Sequence, residues 1–530
     1  MRRRPHELLL PARLLLAFAA GLAIWLALPG NNQWYAAWLG CALLAAAGWA
    51  AGFRWGLLIG LLAGWAYFVP TLAWSGIYVG PLPWLALATL EALYIAVMVG
   101  VVGWLQRRLV ARGREVAAYA VVPLAWVVGE WARGTTPFGG FPWARLAFSQ
   151  ADSPIRNLAA LGGAPLLTAG VATIGVLTYA VARAALVTRR PLPAVASIAG
   201  VAALALGSLL IPLPTTAGAP TAEIALVQGN VPKPGLDFNA ERRAVLDLHA
   251  RATETLAASG VRPDLVVWPE NAVDIDPLRN PDAAAEIIAA QNAIQAPLLV
   301  GAILEEPEPY VSNASLLYRP GVVDPERYVK QHPVPFAEYV PYRDFFRHFS
   351  DKVDLVRAGM ATGTEIGYFE VATKAGQTFA ALPTICFEVA YDGLIRAAVT
   401  HNASLPSVLV VQTNNATFGF TDESEQQYAI SRIRAIEHGR AVVHVSTVGV
   451  SGFVAPDGTS GPLTTLFTQA TQVEAVPLLS GLTVADRIGG LPEYLALAGL
   501  FVAFGRTMTR RHDNGSTPAT PAVSKELVGA

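Results

Sequence analysis

Long apolar runs dominate the first 212 residues. A helix that crosses a bilayer needs roughly 20 residues, and eight runs in the chain approach that length: 12–29, 34–51, 55–75, 83–105, 116–132, 158–186, 193–212 and 487–506. The pattern predicts about eight transmembrane helices. Seven form an N-terminal bundle over residues 1–212, and the eighth is a C-terminal helix over residues 487–506.

The pattern changes between residues 213 and 486, where short β-rich runs alternate with amphipathic helical stretches. Strands are predicted at 223–231, 264–273, 297–304, 314–321, 378–390, 407–415 and 441–458, and helices at 242–259 and 423–440. Strands that alternate with helices indicate an α/β domain with buried sheets. Residues 507–530 are polar and are predicted to form a disordered tail.

Composition supports a membrane protein: 53% of residues are hydrophobic, 15% are charged, and the mean hydropathy is +0.42. The formal net charge of −1 gives no reason to expect a nucleic-acid partner. Arginine clusters follow alternate runs, so the positive-inside rule predicts cytoplasmic termini and an extracytoplasmic 213–486 domain. The first run is expected to be a retained helix and not a cleaved signal peptide.

The chain has two cysteines, Cys41 and Cys386. Cys41 lies in the second apolar run and is expected to be a buried small side chain. Cys386 follows the apolar stretch ALPTI and has no disulfide partner in its own domain. It is either a buried structural thiol or a nucleophile.

A nucleophilic thiol needs a base and a group that stabilises an oxyanion. Glu270 follows the apolar strand LVVWP, where burial would raise its pKa towards the range useful for a base. Lys330 is a candidate for the group that stabilises the oxyanion, and Glu338 follows it in the same motif. His332 leaves a Cys–His pair as an alternative. Neither a metal-ligand cluster nor a phosphate-binding loop is evident, so no cofactor and no metal are expected.

Glu270, Lys330 and Cys386 stand in the contexts VVWPEN, YVKQHPVPFAEYVP and ICFEVAYDG. This order resembles the carbon–nitrogen hydrolase (nitrilase) superfamily. The whole chain more closely resembles the apolipoprotein N-acyltransferase family, with further matches at VQGNVP, QTNNATFG, RIRAIEHGRAVVHVSTVGVSG and EWARGTTPFGGFPW. The resemblance implies a helical membrane bundle joined to an extracytoplasmic αββα sandwich that carries a catalytic Glu–Lys–Cys triad.

The resemblance also implies an activity. A fatty acyl chain passes from a glycerophospholipid donor to Cys386 as a thioester, and then to the α-amino group of a diacylglyceryl-modified apolipoprotein. The protein is expected to be a monomer in the bacterial cell (inner) membrane, in contact with membrane lipids. A membrane-tethered amidase and a transporter with an outer binding domain are the alternatives.

Further roles follow from the same resemblance. Glu338 and Glu388 are expected to support the triad, or to act as structural hydrogen-bond acceptors. Phe387 and Thr417 stand where the family often has tyrosine and tryptophan. Segment 342–355 is either an arm in the membrane interface or an amphipathic helix on the domain core. The residues expected to bind substrate are Phe238, Phe345, Phe346, Phe349 and Phe387.

Glu91, Glu130 and Arg133 are charged residues that fall within the apolar runs or at their ends. Glu130 and Arg133 are one helical turn apart and are expected to pair with each other or with a lipid headgroup. Glu91 lies inside the fourth run. One such charge gives the transporter alternative little support.

Overall fold

The computed structural model describes residues 8–233, 235, 242–322, 324–356 and 359–508. The part before residue 212 is helical. Its helices are α1 (Leu10–Ala27), α2 (Tyr35–Gly48), α3 (Phe53–Thr71), α4 (Pro81–Ala111), α5 (Glu115–Arg133), α6 (Ala159–Arg183) and α7 (Pro191–Leu209).

Six helices of the described chain are long and apolar enough to cross a membrane; α2 and the last apolar run are not among them. The second run forms α2, which has 14 residues. The last run forms an 18-residue helix over Leu491–Met508 that includes Glu493 and Arg506. The structure therefore supports a membrane bundle, while the predicted count of eight spans is not confirmed.

The intervening part is an α/β domain. Its elements are β1 (Thr221–Gln228), α8 (Arg242–Ala258), β2 (Leu265–Val267), α9 (Pro281–Ile294), β3 (Leu298–Leu304), β4 (Ser312–Tyr318), β5 (Glu326–Val329), α10 (Arg343–Arg347), β6 (Phe369–Ala372), β7 (Thr378–Ile385), α11 (Asp392–His401), β8 (Ser407–Thr413), α12 (Glu423–His438), β9 (Val442–Ser446), β10 (Gly452–Val454), β11 (Ala470–Pro477) and α13 (Val484–Ile488). The chain then enters α14 (Leu491–Met508).

The strands form two sheets, with orders β11-β1-β2-β3-β4-β5 and β10-β9-β8-β7-β6. Alternate residues of each central strand face opposite sides. Ile224 of β1 and Val410 of β8 belong to the core between the sheets. Val227 of β1 packs with α8 and α9, whereas Val411 of β8 shares one core with α12 and the membrane helices. These layers form the expected αββα sandwich, with one helical layer against the bundle.

The sequence pattern did not predict three of the strands, β5, β6 and β11. All three are at the edge of a sheet, and each leaves part of its side chains exposed. An edge strand lacks the continuous apolar run of a strand buried on both faces, which explains why it was missed. The predicted strand 378–390 ends at Ile385, where the chain turns into a short 3-10 helix.

Helix α12 differs from its prediction as an amphipathic helix, because nearly all of its side chains are buried. One side packs on the second sheet, and α6 covers another. The backbone of α6 is non-helical at Gly162 and Gly163. Gly163 has a φ of +65°, which favours glycine, and a Cβ there would lie 2.5 Å from a carboxylate oxygen of Glu437 in α12, so that side chain would have to move.

Buried ion pairs join the bundle to the α/β domain. Arg145, in the connection between α5 and α6, bonds both carboxylate oxygens of Asp392 at 2.9 and 2.7 Å. Arg434 of α12 donates to the same carboxylate at 2.6 Å. Arg145 also pairs with Glu130 at 3.2 Å, and Arg133 pairs with Glu91 at 3.0 Å. The expected pairing of Glu130 with Arg133 is therefore wrong: each pairs with a residue brought from elsewhere in the chain.

Asp392→Asn should lower the stability of the protein. The substitution removes the carboxylate that Arg145 and Arg434 share. Breaking a fully buried ion pair costs about 3–5 kcal/mol, and this is an upper bound for Asp392 because its side chain is 28% exposed. Thermal unfolding of the detergent-solubilised protein measures the loss, with the exposed Asp351→Asn as the matched control. Equal unfolding midpoints for the two variants would contradict this role of Asp392.

Candidate active site

Cys386 lies at a sharp turn where β7 ends. Its φ is +56°, in the left-handed region that residues other than glycine rarely adopt. A 3-10 helix over Cys386–Ala390 follows at once. Such backbone costs on the order of 1–3 kcal/mol and persists only where the surroundings enforce it. The turn sets the side chain at the end of a buried strand, where α/β folds build sites.

Lys330 and two carboxylates form a buried cluster beside this turn. Lys330 follows β5 and has no exposed surface. Its Nζ lies 2.7 Å from Oε1 of Glu338 and 3.3 Å from Oε1 of Glu270. Asn313 of β4 donates to Oε1 of Glu270 at 2.6 Å. The backbone N–H of Val334 donates to the other oxygen of Glu338, which fixes that carboxylate.

Glu388 joins the nucleophile turn to the Lys330 segment. Its Oε2 accepts the backbone N–H of Ile385 at 2.8 Å, just before Cys386. Its Oε1 accepts the backbone N–H groups of Gln331 and His332 at 2.6 and 3.1 Å, just after Lys330. The geometry therefore matches the structural-acceptor reading of Glu388, which couples the positions of two candidate catalytic residues.

The site balances burial against charge. Burial raises the pKa of Glu270, and the Lys330 ammonium lowers it by less. Burial lowers the pKa of Lys330, but the carboxylates of Glu338 and Glu270 raise that pKa by more than burial lowers it. The net shift is therefore upward. Burial and Glu270 raise the pKa of the Cys386 thiol, and Lys330 lowers it. The thiol is therefore mostly protonated at neutral pH and needs a base, and Glu270 is a carboxylate suited to that task.

Aromatic residues of the α5–α6 connection pack against Phe387, the residue that follows Cys386. The Phe387 ring stacks on Phe141 with centroids 5.3 Å apart and on Trp143 at 5.6 Å. Only 5% of Phe387 is exposed. Arg133 holds this connection by donating to the carbonyl groups of Phe141 and Trp143. The structure thus gives Phe387 a packing contact with the membrane bundle, and its contact with substrate stays a prediction.

The remaining predicted substrate residues are placed differently. Phe345 and Phe349 are exposed, and Phe346 packs against Phe336 with centroids 4.8 Å apart. Within segment 342–355, the one described buried side chain is Val353. The alternative of a helix on the domain core is therefore wrong. Phe238 lies outside the described residues.

Some site residues were not found from the sequence. The roles of Asn313, Phe141 and Trp143 depend on contacts between distant segments, although the motif that contains both aromatic residues was noted. The ring of His332 stacks on Tyr391 at 4.1 Å, and burial lowers the pKa of His332. This arrangement gives no support to a Cys–His pair.

Glu338→Gln should shift the acid limb of Cys386 acylation to lower pH. The Glu338 carboxylate raises the pKa of Glu270, so its removal makes Glu270 easier to ionise. If ionised Glu270 is the base, the increase of the acylation rate with pH will then begin at a lower pH than in the wild type. Release of p-nitrophenolate from an activated ester across pH 4–9 measures the limb, with exposed Glu365→Gln as control. An unchanged or upward-shifted limb would contradict the coupling.

Gly301→Ala should displace Glu270. A Cβ at Gly301 would lie 2.2 Å from the carbonyl oxygen of Pro269 and 2.7 Å from Cα of Glu270. Because small misplacements of a catalytic group cost up to about a hundredfold in rate, acylation should fall at least tenfold. Gly393→Ala, where nothing lies within 4 Å of the added Cβ, is the control. A normal rate for Gly301→Ala would show that the position of Glu270 does not matter.

The comparisons with known proteins cover both parts of the chain. Residues 20–177 match the apolipoprotein N-acyltransferase N-terminal domain, and residues 223–478 match the carbon-nitrogen hydrolase family. A solved amidase variant of the nitrilase superfamily, from Nesterenkonia AN1, is 16% identical with a TM-score of 0.36, over 50% of this chain and 93% of that one.

Similarity to curated proteins extends over nearly the whole length. The chain is 39% identical to an apolipoprotein N-acyltransferase of Mycolicibacterium smegmatis, over 92% of this chain and 84% of that protein. It is 31% identical to the protein of the same name from Ralstonia nicotianae, over 94% of this chain and 93% of that protein. With its membrane bundle, αββα domain and buried thiol site, the chain belongs to the apolipoprotein N-acyltransferase family.

Proposed function

We propose that this protein transfers a fatty acyl chain from a glycerophospholipid to the α-amino group of a diacylglyceryl-modified N-terminal cysteine of an apolipoprotein. Membership of the apolipoprotein N-acyltransferase family supports the reaction. The observation that carries the proposal for this chain is the stacking of Phe387, next to Cys386, on Phe141 and Trp143 of the membrane bundle. A thiol at this junction is suited to substrates that reside in the bilayer.

The first half-reaction loads the thiol. Glu270 accepts the proton of Cys386, and the sulfur attacks the carbonyl carbon of the phospholipid ester. Lys330 stabilises the tetrahedral oxyanion. The ester C–O bond then breaks, Glu270 returns the proton to the departing lysophospholipid, and the acyl group remains on Cys386 as a thioester.

The second half-reaction unloads it. The amino group of the acceptor attacks the thioester carbonyl, Glu270 accepts a proton from the nitrogen, and the C–S bond breaks. The product is an amide, and the thiol regains its proton from Glu270. Water is a competing nucleophile, so a largely buried site favours transfer over hydrolysis.

The proposal extends to the organisation of the protein in the membrane. We assign residues 1–212 to the transmembrane bundle, 213–486 to an extracytoplasmic catalytic domain, and 487–506 to a C-terminal helix. The protein lies in a bacterial cell membrane. By the positive-inside rule, both of its termini face the cytoplasm. Exposed Phe345 and Phe349 then provide an arm for the membrane interface. The enzyme acts as a monomer.

Intact mass spectrometry after incubation with a phospholipid tests the first half-reaction. Wild-type protein should carry a fatty-acyl adduct that hydroxylamine removes. Cys386→Ala should carry none, since it lacks the acyl-carrying sulfur. Cys41→Ala, at the buried cysteine of α2, is the matched control and should carry the adduct. No adduct on folded wild-type protein would overturn phospholipid as the donor.

A synthetic diacylglyceryl-cysteine peptide tests the second half-reaction. A free α-amino group should consume the adduct and yield an N-acylated peptide, whereas an N-acetylated peptide should leave the adduct in place. If the adduct disappears into free fatty acid equally fast with and without the peptide, the protein is a hydrolase. The amidase alternative would then replace transfer.

A further inference from the structure

Gln427 of α12 is aimed at the sulfur of Cys386. Its side chain has no exposed surface, and its Nε2 lies 3.7 Å from Sγ of Cys386. That distance is within the range of a hydrogen bond to sulfur. Gln427 is on the helix between the second sheet and the membrane bundle, in a different segment from Glu270, Lys330 and Cys386.

The orientation of the Gln427 amide is fixed from behind. Its Oε1 accepts Oγ1–H of Thr413 at 2.7 Å and Nδ2–H of Asn415 at 3.0 Å. Because two donors converge on the oxygen, the NH₂ group must take the other side. Only this orientation presents an N–H to the sulfur.

Asn415 is itself held in one orientation. The backbone N–H of Gly449 donates to Oγ of Ser446 at 2.7 Å, so the hydroxyl proton of Ser446 is directed to Oδ1 of Asn415 at 2.5 Å. Nδ2 of Asn415 then donates to Gln427 and to Oε2 of Glu423. The direction of donation is therefore set along the whole series of hydrogen bonds. The series begins at the backbone N–H of Gly449, which can only donate, and ends at the sulfur of Cys386.

We propose that Gln427 is a catalytic hydrogen-bond donor to the sulfur of Cys386. The N–H stabilises the sulfur when it carries negative charge: as the attacking thiolate, and as the leaving group when the C–S bond of the thioester breaks and its electron pair returns to sulfur. The inference rests on the proposed role of Cys386 as acyl carrier. Gln427 adds a hydrogen-bond donor to the leaving sulfur, whereas Lys330 stabilises the carbonyl oxygen.

Such a donor has a physical purpose in this site. Four titratable side chains act on the pKa of the Cys386 thiol: Glu270, Glu423 and Glu338 raise it when they are ionised, and only Lys330 lowers it. A neutral amide offsets their effect on the thiolate without adding a second buried cation, which would need a counter-ion of its own.

Gln427→Met tests the proposal, since methionine matches the length of glutamine and lacks an N–H. A hydrogen bond to a charged group that is worth about one pKa unit would leave about tenfold less thiolate at a given pH. The remaining thiolate is more nucleophilic, with a Brønsted slope of about 0.4–0.5. The alkylation of Cys386 by iodoacetamide should therefore slow about threefold. Mass spectrometry of the Cys386 peptide measures this rate from pH 7 to 10.

The acyl-transfer assay supplies a second readout. Consumption of the Cys386 thioester by the diacylglyceryl-cysteine peptide should slow about tenfold in Gln427→Met, with little change in the peptide concentration at half-maximal rate. Gln427→Glu keeps the shape of the side chain, and at the alkaline end of the range, where its carboxyl is ionised, it replaces the donor with an acceptor. It should therefore slow both reactions at that pH at least as much. Gln291→Met, a buried glutamine of α9, is the matched control and should behave as wild type.

The outcomes separate this inference from the proposed function. Unchanged alkylation and thioester consumption in both folded Gln427 variants would overturn the role of Gln427 while leaving transfer through Cys386 intact. Wild-type protein that forms no thioester, with alkylation still slowed in Gln427→Met, would overturn the proposed function and leave the hydrogen bond to sulfur standing. If Gln427→Met fails to fold, Gln427→Glu alone decides the alkylation result.

Discussion

Lys330 is a charged side chain with no exposed surface, and this one burial constrains the rest of the site. A buried ammonium is tolerated only where anions and hydrogen bonds replace its water. Glu338 and Glu270 supply them at 2.7 and 3.3 Å. These ion pairs keep the lysine charged, because both carboxylates raise the pKa of Lys330, while burial keeps the pKa of Glu270 above its ordinary value. A candidate oxyanion donor and a candidate base are thereby defined together.

The buried cluster needs a rigid frame, and both sheets contribute to it. Glu270 follows β2, Asn313 lies in β4 and Lys330 follows β5, all in the first sheet, while Cys386 ends β7 of the second. Glu388 crosses between the sheets by binding backbone N–H groups on both sides of the gap. Because Glu388 binds the backbone next to Cys386 and the backbone next to Lys330, a change in the separation of the sheets would displace these two residues relative to each other.

The membrane bundle takes part in this frame. Arg133, paired with Glu91 inside the bundle, holds the connection that stacks on Phe387. Arg145 of the same connection shares Asp392 with Arg434, and Arg434 also binds the carbonyl groups of Val389 and Ala390 behind the nucleophile. Charged residues of the bundle and of the α5–α6 connection therefore position the site. Glu91, which gave the transporter alternative little support, is paired with Arg133 and so has a structural partner.

The amino-acid sequence by itself determined the membrane bundle, the central strands and the choice of Glu270, Lys330 and Cys386 as candidate site residues. Apolar runs and strand periodicity are local properties, and the motifs around these residues are contiguous. Only the tertiary structure decided the partners of Glu130, Arg133 and Glu388, the exposure of Phe345 and Phe349, and the contact of Gln427 with sulfur. It also decided that the edge strands β5, β6 and β11 exist and that α12 is buried on nearly all sides. The reason is physical: hydrogen bonds, ion pairs and burial depend on which distant segments pack together, and no local pattern of residues records that packing.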